Sequence, residues 1–440
     1  MSRSKALVTA GALTAALALF GGVFGGTPAD HALRIEASAA ADQDSLSALI
    51  SGFASGNTAV YVAELEQRVA AHPSDGNALL LLGLAYQQRA RESGNPAFYN
   101  LSDRALRRAA VAGGQRPLIL QGRAALANTR HRFRVGLALA RRSIRIDPEN
   151  GSAYGALGDA LLNLGRYEAA FRAYDRMAVL VPGIASYTRV ANARELIGRP
   201  DAAARADQLA LQADSTVPEQ VAWTLVHLGN VLFNTGRLGA AARAYRSALA
   251  RLPGYVHAEA GLARVEASQG LYARAIARLR HVVDVLPIPA YVIMLGDVLH
   301  VSGHEAEARR EYALVGVIER VFAANGVRTE LQTALFDLDH GRYVADALGR
   351  ARVAYASAPS IYAEDVLAWG LFKTGRCAEA REHSAHGLRL GTRDALLVFH
   401  RAMIERCLGA SSARSWFRRA LAINPHFSFL WAPVARQGAR

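Results

Sequence analysis

The sequence predicts an all-α solenoid, a stack of helix hairpins, and three observations point to this fold class. Prolines recur at a spacing of 34 residues: Pro148 and Pro182, and Pro253 and Pro287. In step with them, glycine pairs recur seven residues apart: Gly158 and Gly165, Gly229 and Gly236, and Gly296 and Gly303. Apolar residues in the same stretches follow the i, i+3, i+7 spacing of one helix face. A fixed period of this length indicates a repeat architecture.

Residues 151–184 show how one repeat is built. One face of the predicted first helix carries Tyr154, Leu157, Gly158 and Leu161. The predicted second helix carries Ala170 and Tyr174. Because Gly158 and Ala170 have little or no side chain, the two helices can approach closely there. Gly165 permits the tight turn between the helices, and Pro182 blocks continuation of the second one.

The pattern recurs in residues 222–255 and 289–322, and it resembles the tetratricopeptide repeat. This resemblance implies a right-handed α-solenoid of about eleven helix hairpins, in which each unit packs on its neighbours. The predicted units are 42–75, 76–116, 117–150, 151–184, 185–218, 222–255, 256–288, 289–322, 327–360, 361–393 and 394–427. Unit 76–116 contains an insertion at residues 91–98, and units 185–218 and 327–360 depart from the repeat pattern.

The predicted organisation groups these units into three stretches. Residues 42–150 contain divergent units, residues 151–322 contain the best-matched units, and residues 323–427 contain further units. Residues 1–29 form a predicted signal peptide or uncleaved membrane anchor, 30–41 a short linker and 428–440 a C-terminal cap. A change of repeat phase near 318–328 leaves open a hinge at that point.

The N-terminus has the pattern of an export signal. Arg3 and Lys5 precede an uncharged, apolar stretch that extends from Ala6 to Gly26. A short positive segment followed by an apolar run is typical of secretory signals, and a run of this length also suffices for one membrane-spanning helix. We therefore expect an extracytoplasmic protein, either secreted or anchored to the cytoplasmic membrane.

Composition excludes several classes of protein. The 440 residues are 51% hydrophobic and 20% charged, which argues against a largely disordered chain, and only two are cysteines. Lys and Arg number 51 against 37 Asp and Glu, for a net charge of +14, and only Lys5 and Lys373 are lysines. The arginines are spread along the chain without a basic run, so nucleic acid is not an expected partner. No phosphate-binding loop, zinc-protease motif or nucleophile elbow is present, so we expect neither an enzyme nor a cofactor or metal.

The resemblance implies that the first helices of successive repeats line a concave groove. At the groove positions the sequence carries a set of amides, carboxylates and aromatic residues: Asp159, Asn163, Asn192, Trp223, Asn230, Phe233, Asn234, Asp297, Tyr362 and Trp369. An Asn side chain both donates and accepts hydrogen bonds, so a ladder of Asn can pair with the backbone of an extended peptide. Alternatively, the Asn residues are tolerated surface groups and the aromatic residues pack between repeats.

Three smaller features have both a chemical and a structural interpretation. Cys377 and Cys407 fall at the same edge of neighbouring predicted hairpins, so they are either a disulfide or two small, partly buried thiols. His383 and His386 lie three residues apart, a spacing that helix surfaces often show without a metal. Residues 337–340, with two Asp and one His, interrupt the repeat and are interpreted as a divergent or mobile turn.

The function expected from these observations is that of a scaffold. Repeat arrays of this kind bind a protein or an extended peptide in the groove and support the assembly of complexes. The alternative is a module at the cell envelope that binds an anionic lipid or wall polymer through its arginine-rich surface. The partner and the oligomeric state stay open.

Overall fold

The computed structural model describes residues 57–213 and 217–440, and this part of the chain is helical throughout. It contains 22 helices and no β-strand. The first eleven are α1 Thr58–Ala71, α2 Gly76–Ser93, α3 Ala97–Val111, α4 Arg116–Thr129, α5 Phe133–Ile146, α6 Gly151–Asn163, α7 Tyr167–Leu180, α8 Ile184–Leu196, α9 Pro200–Gln212, α10 Pro218–Asn234 and α11 Leu238–Arg251. The others are α12 Val256–Ser268, α13 Tyr272–Val285, α14 Pro289–Val301, α15 Glu305–Ala324, α16 Glu330–Asp339, α17 Val344–Ser357, α18 Ile361–Lys373, α19 Cys377–Gly387, α20 Ala395–Cys407, α21 Ala413–Ile423 and α22 Trp431–Gly438.

The helices pack in consecutive antiparallel pairs, from α2 with α3 to α20 with α21, and each pair stacks on the next. The fold is therefore the all-α solenoid that the sequence predicts. The glycine at the eighth repeat position explains the close packing within a pair. A side chain on Gly229 would overlap the ring of Tyr245, which lies on the second helix of the same unit. Gly236 ends α10 in the left-handed region, with φ of 74°.

Several sequence expectations meet a different local structure. α10 begins at Pro218, four residues before the predicted unit 222–255. Residues 337–340, interpreted from the sequence as a divergent or mobile turn, lie at the end of α16 and are anchored there: Asp337 pairs with Arg350 at 2.5 Å. The predicted signal at 1–29, the linker at 30–41 and the start of unit 42–75 lie outside the described residues.

The solenoid turns back on itself after nearly six repeats. The backbone N–H of Ile361 donates to the Tyr167 hydroxyl at 2.7 Å, although 194 residues separate them. The amide of Asn424 donates to the Phe233 carbonyl at 3.0 Å, across 191 residues. The glycine turn at Gly198 lies against the Gly391 carbonyl. Successive superhelical turns are thus in direct contact, and the hairpins between α4 and α11 face those between α16 and α21.

Part of the concave interior is filled by the protein's own core. Ala90, Tyr99 and Leu126, from α2, α3 and α4, join one hydrophobic cluster with buried residues of α12 to α16, including Phe336. The groove that the sequence predicts is therefore not open along the whole array. A cavity persists further along, where the two superhelical turns meet.

Candidate functional site

The cavity between the superhelical turns has a volume of about 280 Å³ and two walls. The first helices of consecutive repeats form one wall: α6, α8, α10 and α12 contribute Asn163, Asn192, Asn230, Asn234 and Arg264. The opposite wall comes from α16, α18 and the start of α20, and it includes Tyr362, Asp365 and Asp394. Apolar residues complete the lining: Phe133, Leu162, Leu196, Leu335, Val366 and Phe427. Five of the ten predicted groove residues line this cavity.

The four asparagines of the first wall differ in how they are bonded. Asn192 is 7% exposed, and its side chain has no hydrogen-bond partner in the described part of the chain. Asn230 accepts a hydrogen bond from the Tyr245 hydroxyl at 2.8 Å, which leaves its amide N–H groups facing the cavity. Asn163 donates to the Asp159 carbonyl at 2.8 Å, and Asn234 donates to Glu195 at 2.9 Å. Asn192 and Asn230 are thus the two of these four whose amide N–H groups make no hydrogen bond within the described residues.

Arg264 lies beside these asparagines and is the cation of the first wall. Its guanidinium stacks over the ring of Phe233, 3.9 Å from the ring centroid. Within the described residues, the Arg264 side chain forms neither an ion pair nor a hydrogen bond. Burial lowers the pKa of Arg264, while the more distant charges of Asp394 and Glu195 act in the opposite direction. A cation in a cavity without a contacting acid is a binding group for an anion.

The second wall carries carboxylates. Asp394 caps α20, where it accepts hydrogen bonds from the backbone N–H groups of Leu396 at 2.9 Å and Leu397 at 3.4 Å. Burial, together with the neighbouring charge of Asp365, raises the pKa of Asp394 to about 6. Asp365 accepts a hydrogen bond from His400 at 2.8 Å, and this carboxylate raises the pKa of His400 although burial lowers it.

Five predicted groove residues do not line this cavity, and their side chains have contacts within the protein instead. Trp223, Phe233 and Trp369 are at most 6% exposed and belong to hydrophobic clusters between helices, which is the packing alternative considered for them. Asp159 accepts two hydrogen bonds from Arg189 and one from the Tyr174 hydroxyl, and Asp297 accepts hydrogen bonds from Tyr312 and His340. These carboxylates satisfy polar groups of adjacent repeats.

Arg264, Asp365 and Asp394 line the cavity but are absent from the predicted set. Arg264 is the ninth residue of α12, the position that Asn192 occupies in α8. Asp365 is the fifth residue of α18, another position that faces the concave side. The repeat register could therefore have identified both residues. The capping position of Asp394 and the contact between superhelical turns follow no repeat rule.

The remaining candidates outside the cavity have structural partners. Cys377 and Cys407 form a disulfide with a Cα–Cα distance of 6.3 Å, which connects the start of α19 to the end of α20. His383 pairs with Glu364 at 2.7 Å.

Across residues 57–213 and 217–440, no group of three or more potential ligands is arranged to hold a metal. None of the helices in these two ranges combines the length and apolarity needed to cross a bilayer.

The family follows from the helix pairs and from a profile match. The tetratricopeptide repeat profile matches residues 119–184 and 226–284, which correspond to α4–α7 and to α10–α13. These segments of the chain are tetratricopeptide repeats, and the helix pairs on either side of them stack in the same way.

Several solved structures are similar to this chain. The crystal structure of MamA is 20% identical, covers 37% of this chain and 92% of its own, and has a TM-score of 0.29. YrrB, described as a tetratricopeptide repeat protein with an unusual peptide-binding site, is 18% identical, covers 42% and 91%, and has a TM-score of 0.30. The human IFIT1 dimer with m7Gppp-AAAA is 13% identical, covers 93% and 94%, and has a TM-score of 0.45. No curated protein matches the chain.

Proposed function

We propose that this protein is a scaffold that binds an extended segment of a protein partner in the cavity between its superhelical turns. The observation that supports this proposal is the pair Asn192 and Asn230, whose amide N–H groups have no acceptor among the described residues. Burying such a group without a partner costs about 1–3 kcal/mol, so a ligand that supplies an acceptor gains that amount. The carbonyl groups of an extended backbone are acceptors at regular spacing.

Apolar residues between the polar groups favour a peptide over a small polar solute. Leu162, Leu196 and Phe133 on one side, and Leu335 and Val366 on the other, border the same space as the asparagines. An extended segment would place its backbone against the amides and its apolar side chains against these residues. Anchoring apolar side chains in a lined pocket is the usual mode of such recognition.

Partner capture by crosslinking in intact cells tests this proposal. The wild type is compared with Asn192→Ala/Asn230→Ala and with the control Arg243→Ala/Arg246→Ala, which changes two exposed residues of α11 outside the cavity. We expect one set of proteins to be captured by the wild type and the control and lost by the asparagine variant. Recovery of the same set by all three proteins, each shown to be folded by its helical circular dichroism, would contradict the proposal.

The site of action that we propose is extracytoplasmic. The apolar run after Arg3 and Lys5 supports export, and the Cys377–Cys407 disulfide is compatible with an oxidising compartment. Cell fractionation with mass spectrometry of the N-terminus tests this. A protein found in the cytosol with both thiols alkylated in the native state would exclude export.

A second candidate function is binding to an anionic lipid or polymer, and one surface favours it. α5 contains no acidic residue, and Arg141, Arg142 and Arg145 on its outer face are exposed and without an ion-pair partner in the described residues. Cosedimentation with phosphatidylglycerol vesicles over a salt series distinguishes this candidate, because binding of this kind falls steeply with ionic strength. Capture of a partner in the asparagine cavity depends less on salt.

A further inference from the structure

The two walls of the cavity carry one cation and one carboxylate that do not meet. Arg264 on α12 and Asp394 at the start of α20 both line the cavity, and neither forms an ion pair within the described residues. Most other charged groups of the lining have protein partners, and Arg393, which has none in the described residues, is exposed to solvent. Arg328 pairs with Glu330 at 3.4 Å, Asp365 accepts from His400, and Glu195 accepts from Asn234.

The fold itself holds these two charges apart. Arg264 stacks on Phe233, and Asp394 is fixed by the two backbone N–H groups that it caps. The two residues belong to different superhelical turns, and those turns are locked together by the bonds from Ile361 to Tyr167 and from Asn424 to Phe233. In the low dielectric of a cavity, two unpaired charges of opposite sign are costly, and a ligand that bridges them relieves both costs.

The lining also contains neutral groups that fit such a ligand. The Asn192 amide, which is 93% buried, has no partner in the described part of the chain, and neither has the Tyr362 hydroxyl beside Asp365 and Asp394. The donors Arg264, Asn192 and Asn230 lie on the first wall together with Glu195, whose carboxylate accepts from Asn234, and the carboxylates of Asp365 and Asp394 lie on the other wall. A ligand oriented by this arrangement would direct an anionic group to α12 and a cationic group to α20.

We infer that the ligand of this cavity carries a carboxylate and a cationic amine or guanidinium close together, the carboxylate on Arg264 and the cation on Asp394. This inference rests on the proposed function in taking the cavity as the binding site. The two groups can come from an acidic and a basic side chain of one extended segment, or from the termini of a free amino acid or dipeptide. Both sources present the same chemistry to the walls.

Fluorescence and calorimetric titration of the full-length protein with defined ligands tests this inference. The peptide is an acetylated, amidated nonapeptide of Ser, Ala and Leu that carries one Glu and one Lys two positions apart. Its analogues replace the Glu, the Lys or both by Gln. Free lysine, free glutamate and the dipeptide Lys-Glu form the second set and distinguish the small-molecule source from the side-chain source.

The expected result is that each Gln replacement weakens peptide binding by about tenfold or more, which is the contribution of one charge-assisted contact. Arg264→Gln should abolish the advantage of Glu over Gln without changing that of Lys, and Asp394→Asn should do the reverse. Arg264→Lys should keep most of the preference for Glu. A stronger response to Lys-Glu than to the blocked nonapeptide would assign the small-molecule source.

Two outcomes would overturn the inference. One is equal binding of the charged and the doubly neutral nonapeptide, which would leave the proposed peptide scaffold intact. The other is the absence of binding by every ligand of both sets. Neither outcome bears on the partner capture with the Asn192→Ala/Asn230→Ala variant, so failure of the proposed function is detected separately. A melting temperature within about 3 °C of the wild type shows that a variant is folded.

Discussion

Arg189 and Arg264 lie on the first helices of two repeats, α8 and α12, and both border the interior of the solenoid, but only one of them has a partner. Arg189 donates two hydrogen bonds to Asp159, at 2.9 and 2.8 Å, and both side chains are 6% exposed. The Arg264 guanidinium stacks on the Phe233 ring, has no hydrogen bond or ion pair within the described residues, and faces a cavity. The first arginine connects neighbouring repeats, whereas the second remains available to a ligand. We therefore expect the presence or absence of a partner to distinguish structural from functional positions among buried charges.

The strongest test of this comparison removes each arginine in turn. Arg189→Met leaves the Asp159 carboxylate buried without its partner, which costs about 3–5 kcal/mol in the free energy of unfolding. Arg264→Met leaves no unpaired carboxylate in contact and should cost less than about 1 kcal/mol. Urea unfolding followed by circular dichroism measures both values. Equal losses for the two variants would remove the basis of the distinction.

The disulfide connects α19 to α20, the helix whose first residues belong to the second wall, and its loss gives the next largest expected effect. It closes a loop between residues separated by 30 positions, and loss of such a bond costs about 2–4 kcal/mol. We expect Cys377→Ala/Cys407→Ala to lower the unfolding midpoint and to increase proteolysis in α18–α20 more than in α6–α8. Limited proteolysis with mass spectrometry locates the cuts, and the wild type treated with reductant should reproduce the pattern.

Two asparagines of the first wall allow the same comparison between a side chain that has a protein partner and one that has none in the described residues. Asn230→Ala leaves the Tyr245 hydroxyl without its acceptor and should cost about 1–2 kcal/mol. Asn192→Ala removes a side chain without a partner and should change the free energy of unfolding by less than about 0.5 kcal/mol. Both variants should weaken binding. A stability loss for Asn192→Ala as large as that for Asn230→Ala would show that Asn192 has a structural partner.

The smallest expected effect concerns the charge of Asp394. Its pKa is raised from an ordinary value of 3.8 to about 6, so the native state holds this proton more tightly than the unfolded state. The stability contributed by protonation is present at low pH and is lost as the pH rises from about 4 to 6. The groups that face Asp394 are Asp365, Glu195, Arg264 and the exposed Arg393.

Asp394→Asn keeps an oxygen for the cap of α20 and removes the buried charge. We therefore expect this variant to be more stable than the wild type by about 1 kcal/mol above pH 7 and equal to it below pH 4. Thermal melting at a series of pH values measures the difference. Binding of a cationic group should weaken in the wild type as the pH falls below 6. A variant less stable than the wild type at pH 8 would contradict this account.

The repeat pattern predicts the fold because it is local. The spacing of Gly158, Gly165 and Pro182 defines a hairpin whatever lies elsewhere in the chain, and the same rules apply in each unit. The pattern also places Asn192 and Asn230 on the concave side. It does not distinguish an aromatic residue that faces the groove from one that packs between repeats, and Trp223 and Trp369 belong to the second kind.

The other wall of the site could not be predicted from the repeat pattern. The bond from Ile361 to Tyr167 depends on the curvature that accumulates over nearly six repeats, and small differences in packing at each step decide whether two turns meet. The geometry between helices likewise decides whether a buried arginine meets an acidic side chain. Arg189 meets Asp159, whereas Arg264 meets none in the described residues. Composition and residue spacing carry no information about how helices of different repeats meet in space.

Contact between superhelical turns changes how this chain must fold. An ordinary solenoid folds by adding units to their neighbours, with short-range contacts only. Here the bond from Ile361 to Tyr167 requires a segment synthesised 194 residues later, which at about 5–20 residues per second follows after about 10–40 s. The first wall can therefore form on the ribosome well before the second. A nascent or truncated chain that ends before α18 has the asparagines but no enclosed cavity, so we expect the proposed ligand to bind only the completed protein.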